Sequence, residues 1–127
     1  MYIIKDYSAN TLGGTDGFRH NKTNQDSYLI KKDQNNFIFG IFDGHGLEGH
    51  LISNSIKYYL NNNANTNSFS TNEKIFSLFK DLSLTINSSK SFNSMESGST
   101  AVLSFISKDK IICANCGDSR AILICVI

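Results

Sequence analysis

The chain has 127 residues, 40% hydrophobic and 18% charged, which fits one globular domain with one core and excludes an intrinsically disordered sequence. Lys and Arg number 12 against 11 Asp and Glu, a formal charge of +1, so no global basic field exists for nucleic acid or an anionic membrane. No apolar run approaches the roughly 18 residues of a transmembrane helix, the start "MYIIKDYSAN" lacks a signal-peptide layout, and Tyr2 excludes N-myristoylation. A soluble intracellular protein, cytoplasmic or nuclear, is expected.

Residues 8–25 are polar, contain glycine and show no periodicity, so they read as a loop. "DSYLIKK" and "FIFGIF" follow as two strands joined at "DQNN". From Leu47 the apolar period becomes helical, with Leu47, Leu51, Ile52, Ile56, Tyr59 and Leu60 on one stripe. That helix runs into "NNNANTN", a low-complexity tract expected to be a solvated loop. Thr71 can cap a second helix, with Glu73 in its first turn and Ile75, Phe79, Leu82 and Ile86 on its apolar face. After the loop "SSKSFNSMES", three short strands are expected in "TAVLSFI", "KIICANC" and "RAILICV", joined at "SKD" and at "GDS". Helices set apart from antiparallel strands make the fold class α+β rather than parallel α/β. The chain stops at Ile127 in or just after a strand, which would leave an open sheet edge, so the ending looks like a cut.

Three cysteines, Cys113, Cys116 and Cys125, cannot all pair within the chain, which fits a reducing compartment. "CANC" matches C-x-x-C, but on a strand positions 113 and 116 point to opposite faces, where one metal cannot take both. Core packing is the expectation for these thiols.

The richest stretch is "FGIFDGHGLEGH", residues 39–50. Gly44, Gly46 and Gly49 fit the dinucleotide pattern G-x-G-x-x-G. Against that reading, Asp43 would set a negative charge beside the pyrophosphate, and no acidic residue stands about twenty positions on for the ribose. A zinc-protease reading of His45, Glu48 and His50 fails because helical residues five apart differ by about 140° in direction. A hard divalent cation fits better. A carboxylate at the end of a buried strand is held rigidly, and Gly44 allows close approach of a backbone carbonyl. All-oxygen ligation favours Mg²⁺ or Mn²⁺, and His45 beside it can give a proton to a leaving alkoxide.

"NQDS" at 24–27, "FGIFDGHG" at 39–46, "SGSTAV" at 97–102 and "CANCGDSRAIL" at 113–123 occur in this order. Together they resemble the N-terminal half of the metal-dependent serine/threonine protein phosphatases of the type 2C (PPM) family, over about residues 13 to 124. The resemblance implies one partial phosphatase domain over residues 1–127, part of a β-sandwich of two antiparallel sheets flanked by helices, with a two-metal centre at one end. It places Asp43 at the metal-bridging aspartate, Gly44 at the residue giving a main-chain carbonyl, and His45 at the general acid. Asp26 and Gln25 fall where the family has an acidic or amide pair near the metal-bound waters, which implies outer support for both, with Asp26 the one counted among the metal-site residues. For Ser99, Thr100, Asp118 and Arg120 it implies turn and core packing.

The departures from the family pattern are specific. Where many members have a phosphate-gripping arginine, four residues before Gln25, this chain has Asn21; Arg19 and Lys22 are the nearby cations for substrate phosphate. Where many have an aspartate shortly before "SGST", this chain has Ser94 and Met95, with Glu96 close by. The family's remaining metal-binding aspartates come from the second half of the domain. Two readings therefore stand side by side: a Mg²⁺/Mn²⁺-dependent phosphoprotein phosphatase completed by a C-terminal half, and a non-catalytic, partner-binding half domain.

Overall fold

The computed structural model describes residues 1–127. Five strands and two helices occur in the order β1 (Asp26–Asp33), β2 (Asn36–His45), α1 (Gly49–Asn63), α2 (Asn72–Ser88), β3 (Gly98–Ser99), β4 (Ala101–Ile106) and β5 (Ile111–Cys116). They make one antiparallel sheet in the order β1-β2-β4-β5, with the short β3 also paired to β2. The fold class is α+β as expected, with one antiparallel sheet where the resemblance implied two.

The alternation of β2 explains why the helices lie where they do. Ile38 and Phe42 point to one face with Leu29 of β1 and Ala101, Leu103 and Phe105 of β4, all nearly solvent-free. Ile52, Ile56 and Leu60 of α1 and Leu78 and Leu82 of α2 close over that face. Burying each such side chain is worth about 1.5–3 kcal/mol, so this layer is the main source of stability. Across the opposite face runs the N-terminal segment, where Tyr7 packs on Phe37 and Phe39 at 5.6 and 5.8 Å between ring centroids.

Several expectations from the sequence need correction. Leu47 and Leu51 are exposed, because α1 begins at Gly49 and its buried stripe runs through Ile52, Ser53, Ile56 and Leu60 instead. The asparagine tract is not a plain solvated loop. Its first residues complete α1, Ala64 is fully buried, and Asn65 caps a 3₁₀ turn, Thr66–Phe69, whose Phe69 stacks on Phe105 at 4.8 Å. Lys31 donates to the carbonyls of Asn61 and Ala64, satisfying the end of α1 with a cation that also suits the helix dipole. Thr71 does cap α2, accepting from Lys74 N–H, but the deepest residues of that helix are Leu78 and Leu82.

Residues 120–126 form no strand, and Cys113, Cys116 and Cys125 are exposed rather than packed in the core. Cys113 and Cys116 lie on β5, which pairs with β4 on one side only and forms the sheet's edge.

Asp33 ties the β1–β2 hairpin to the 3₁₀ turn by accepting from Thr66 N–H at 2.6 Å. That bond, then the Thr66 side chain and the Lys31 charge, holds the Asp33 carboxyl below its ordinary range. A depressed carboxylate stabilises the fold above its unfolded pKa, and the contribution is lost as pH falls through the folded value. Asp33→Asn is therefore expected to lower the thermal midpoint at neutral pH and to flatten its fall on acidification. An unchanged acid limb in a pH series of thermal melts would count against this link.

Candidate active site

The C-terminal end of β2 carries the chemistry-bearing residues, and three neighbouring elements hold it. On one side, β1 begins at Asp26, directly opposite Asp43. Gly44 N–H donates to the Gln25 carbonyl at 3.1 Å, while Asp26 N–H turns away to Asn24 Oδ1. The Asp26–Asp43 pair is thus a non-hydrogen-bonded pair of the ladder, the kind whose side chains approach most closely. Burial, then the charge of Asp43 and a hydrogen bond with it, raises the Asp26 carboxyl above its usual range. Like charges placed directly across a ladder are destabilising. The fold holds this pair together nonetheless.

On the other side, Thr100 grips Asp43 twice. Thr100 N–H donates to the Asp43 carbonyl at 2.9 Å, and its Oγ1 accepts from Asp43 N–H at 3.0 Å. Ser119 Oγ lies 2.6 Å from that same Oγ1, so "GDS" reaches back to "SGST". Asp43 and His45 are two apart on β2 and lie on the same face. The His45 ring packs on Gly98, its cross-strand partner, where an added Cβ would stand 2.7 Å from Nε2.

The glycines have a packing role rather than a phosphate-cradling one. A Cβ at Gly44 would collide with the carbonyls of Gln25 and Gly49, so α1 abuts the strand end directly. Gly46 turns the chain at φ +83°, the left-handed region that suits glycine, and its carbonyl accepts from Gln25 Nε2 at 2.6 Å. Glu48 N–H then donates to Ser97 Oγ, and Glu48 carboxylate accepts from Asn93 N–H, which pins the loop before β3 onto the start of α1.

An open cleft of about 540 Å³ reaches the site at Asp26, Gly44 and Gly46, and Lys22 is the cation in its wall. Arg19, Asp43 and His45 are not part of that wall. Arg19 sits at φ 65° at the tip of a small hairpin over residues 14–22, closed by Lys22 N–H to the Gly14 carbonyl and by Asp16. Asn21 is exposed, bridged to Thr15 in the same hairpin. The structure therefore brings Asp26, Asp43, Gly44 and His45 together at one strand end, sets Lys22 beside them, and leaves Arg19 apart.

The donor set fits a hard cation in part. Two carboxylates face each other across the ladder, and outside the strand ladders no donor is aimed at the Gly44 carbonyl. No group of three or more His, Cys, Asp or Glu side chains is arranged to hold a metal ion within residues 1–127. Sequence reasoning missed Ser53, fully buried in α1 with its hydroxyl on the Gln25 carbonyl, and the grip of Thr100 on Asp43. A serine inside an apolar helical stripe was the available signal for the first.

The family model of protein phosphatase 2C matches residues 10–125. This chain belongs to the protein phosphatase 2C family. It is similar to Probable protein phosphatase 2C 35 of Arabidopsis thaliana, 38% identical over 109 residues covering 80% of this chain and 31% of that protein. Probable protein phosphatase 2C 72 of the same organism is 28% identical, over 95% of this chain and 42% of its own length. The chain thus spans about a third to two-fifths of these two relatives. The fold matches that of a bacterial serine phosphatase bearing an R161E mutation, with a TM-score of 0.65 and 21% identity over 86% of this chain and 52% of that one. It also matches the PPM Ser-Thr phosphatase MsPP from Mycobacterium smegmatis in complex with cacodylate, TM-score 0.65 and 18% identity over 87% of this chain and 44% of that one. The phosphatase 2C family is metal-dependent in general.

A raised carboxyl pKa in the fold means that the ionised pair costs stability above its folded pKa and that the cost is relieved as pH falls through it. With metal removed by chelator, Asp26→Asn is expected to raise the thermal midpoint at neutral pH, by an amount equivalent to at most about 1 kcal/mol. The gain should vanish as the medium is acidified into the carboxylate range. A variant less stable than the parent at every pH would show that the pair is not in repulsion.

Proposed function

We propose that the protein is a metal-dependent phosphoprotein phosphatase acting on phosphoserine and phosphothreonine. The observation that carries the proposal is the Asp26–Asp43 pair, two carboxylates held directly opposite each other across the ladder beside the Gly44 carbonyl. Such oxygen donors suit Mg²⁺ or Mn²⁺, and Asp43, Asp26 and the Gly44 carbonyl would be this chain's share of the ligands of a binuclear centre. Further ligands come from the part of the domain outside residues 1–127, since the chain spans well under half of the curated relatives described above. The chemistry that bound cations supply there is activation of water and neutralisation of phosphate charge.

The remaining roles belong to side chains at the strand end. His45, exposed and on the same face as Asp43, donates its proton to the departing serine or threonine oxygen. Lys22, in the wall of the cleft, draws the substrate phosphate toward Asp26 and Gly44, and Arg19 at the hairpin tip adds a second positive charge farther out. The phosphoprotein is substrate, and no helix is long and apolar enough to cross a membrane. A non-catalytic, partner-binding role is the competing reading, and what favours it is that no three such side chains are grouped to hold a metal ion within residues 1–127.

Metal-dependent hydrolysis separates the two readings, and the leaving group tests the role of His45. With Mn²⁺ present, the full-length protein is expected to hydrolyse phosphoserine peptides. His45→Gln is expected to slow that reaction about 10²-fold, the usual worth of a general acid. Hydrolysis of p-nitrophenyl phosphate, whose phenolate leaves without a proton, should fall less than about tenfold in the same variant. Metal-dependent activity absent from the folded parent would support the binding role instead, and equal losses on both substrates would remove His45 from the acid position.

A further inference from the structure

The peptide between Asp43 and Gly44 links two of the proposed ligands, so its orientation sets their relation. It is pinned at both ends. Thr100 N–H holds the Asp43 carbonyl at 2.9 Å, and the Gln25 carbonyl holds Gly44 N–H at 3.1 Å. The Gln25 carbonyl has a second donor, Ser53 Oγ at 2.6 Å, reaching out from the first turns of α1. Gln25 also binds the Gly46 carbonyl through Nε2, so one residue braces both sides of the Asp43–Gly46 turn.

Ser53 is fully buried between Ile52 and Ile56 on the apolar stripe of α1. A helical serine can satisfy its hydroxyl on the carbonyl one turn back, and here that contact with His50 is the longer one, at 3.3 Å. The shorter bond leaves the helix for Gln25. Gly49 brings α1 close enough that its own added Cβ would stand 2.7 Å from the Gly44 carbonyl carbon and 3.0 Å from Gln25 Oε1. The helix therefore reaches the Gly44 peptide by contact and, through the Gln25 carbonyl, by the Ser53 hydrogen bond.

We infer that Ser53 is a positioning residue for the proposed metal centre, locking the Asp43–Gly44 peptide through the Gln25 carbonyl. The inference rests on the metal reading given above. Removing the hydroxyl leaves Gln25 with one donor and no unsatisfied group, so the loss falls on orientation more than on folding.

The test is Mn²⁺ binding by the full-length protein, followed through the electron paramagnetic resonance signal of free Mn²⁺, with thermal midpoints taken in EDTA. Ser53→Ala is expected to keep a midpoint in EDTA close to the parent's and to bind Mn²⁺ about tenfold more weakly, the order of effect seen when supports of metal ligands are lost. Ser53→Cys, similar in size but a weak donor, should show the same weakening and stands in if the alanine variant does not fold. Unchanged Mn²⁺ affinity with a lower midpoint in EDTA would assign Ser53 to packing alone and overturn the inference while the metal reading stands. Equal Mn²⁺ binding by the parent and Asp43→Asn would overturn the metal reading and this inference together.

Discussion

Two carboxylates facing each other across an antiparallel ladder are an unfavourable arrangement, and the rest of the site is organised around keeping them there. Asp43 cannot swing away, because Thr100 binds both its N–H and its carbonyl. Asp26 cannot slip by a residue, because the register from Asp26 to Asp33 is fixed by the burial of Leu29 beside Ile38 and Phe42. The core layer thus supplies the stability that the charged strand end spends. That division is common where function needs a strained arrangement held on rigid elements.

The close approach of α1 to β2 is the second condition. Glycine at 44 and at 49 lets the helix start press against the strand end, and any side chain at 44 would separate them. The turn between them is short, so it needs the left-handed residue Gly46 and the brace from Gln25. The result is a stiff corner where a backbone carbonyl, two carboxylates and an imidazole lie near one another. On the helix side the corner is held by Ser53, and on the far side the loop before β3 is held by Glu48 through Asn93 and Ser97.

Much of this corner was legible in the sequence because its residues are local and chemically distinctive. The reading of "DSYLIKK" as a strand placed Asp26 on β1, while the strand read as "FIFGIF" runs on through Asp43, Gly44 and His45, which the glycines had suggested were a turn. What was not legible came from tertiary context. Leu47 matches the helical stripe by spacing, yet the glycine turn starts the helix two residues later, and the buried face passes it by. The asparagine tract looks solvated by composition, but Ala64 and Phe69 inside and beside it anchor it to the sheet, while Asn65 finds a capping role. The cysteines of β5 read as core because apolar, β-favouring residues surround them, and only the strand order reveals that β5 is an edge. The pattern "RAILICV" has strand chemistry, but periodicity cannot say whether a partner lies alongside it.

The central claim is that the Asp26–Asp43 pair exists to hold a cation, so its repulsion should be a cost without metal and an asset with it. Thermal denaturation of the parent and of Asp43→Asn, each in EDTA and in Mn²⁺, tests that directly. The account predicts a crossing: the variant melts at or above the parent in EDTA, and Mn²⁺ raises the midpoint of the parent alone. Equal stabilisation of both proteins by Mn²⁺ would contradict it, because the cation would then be bound somewhere other than this strand end.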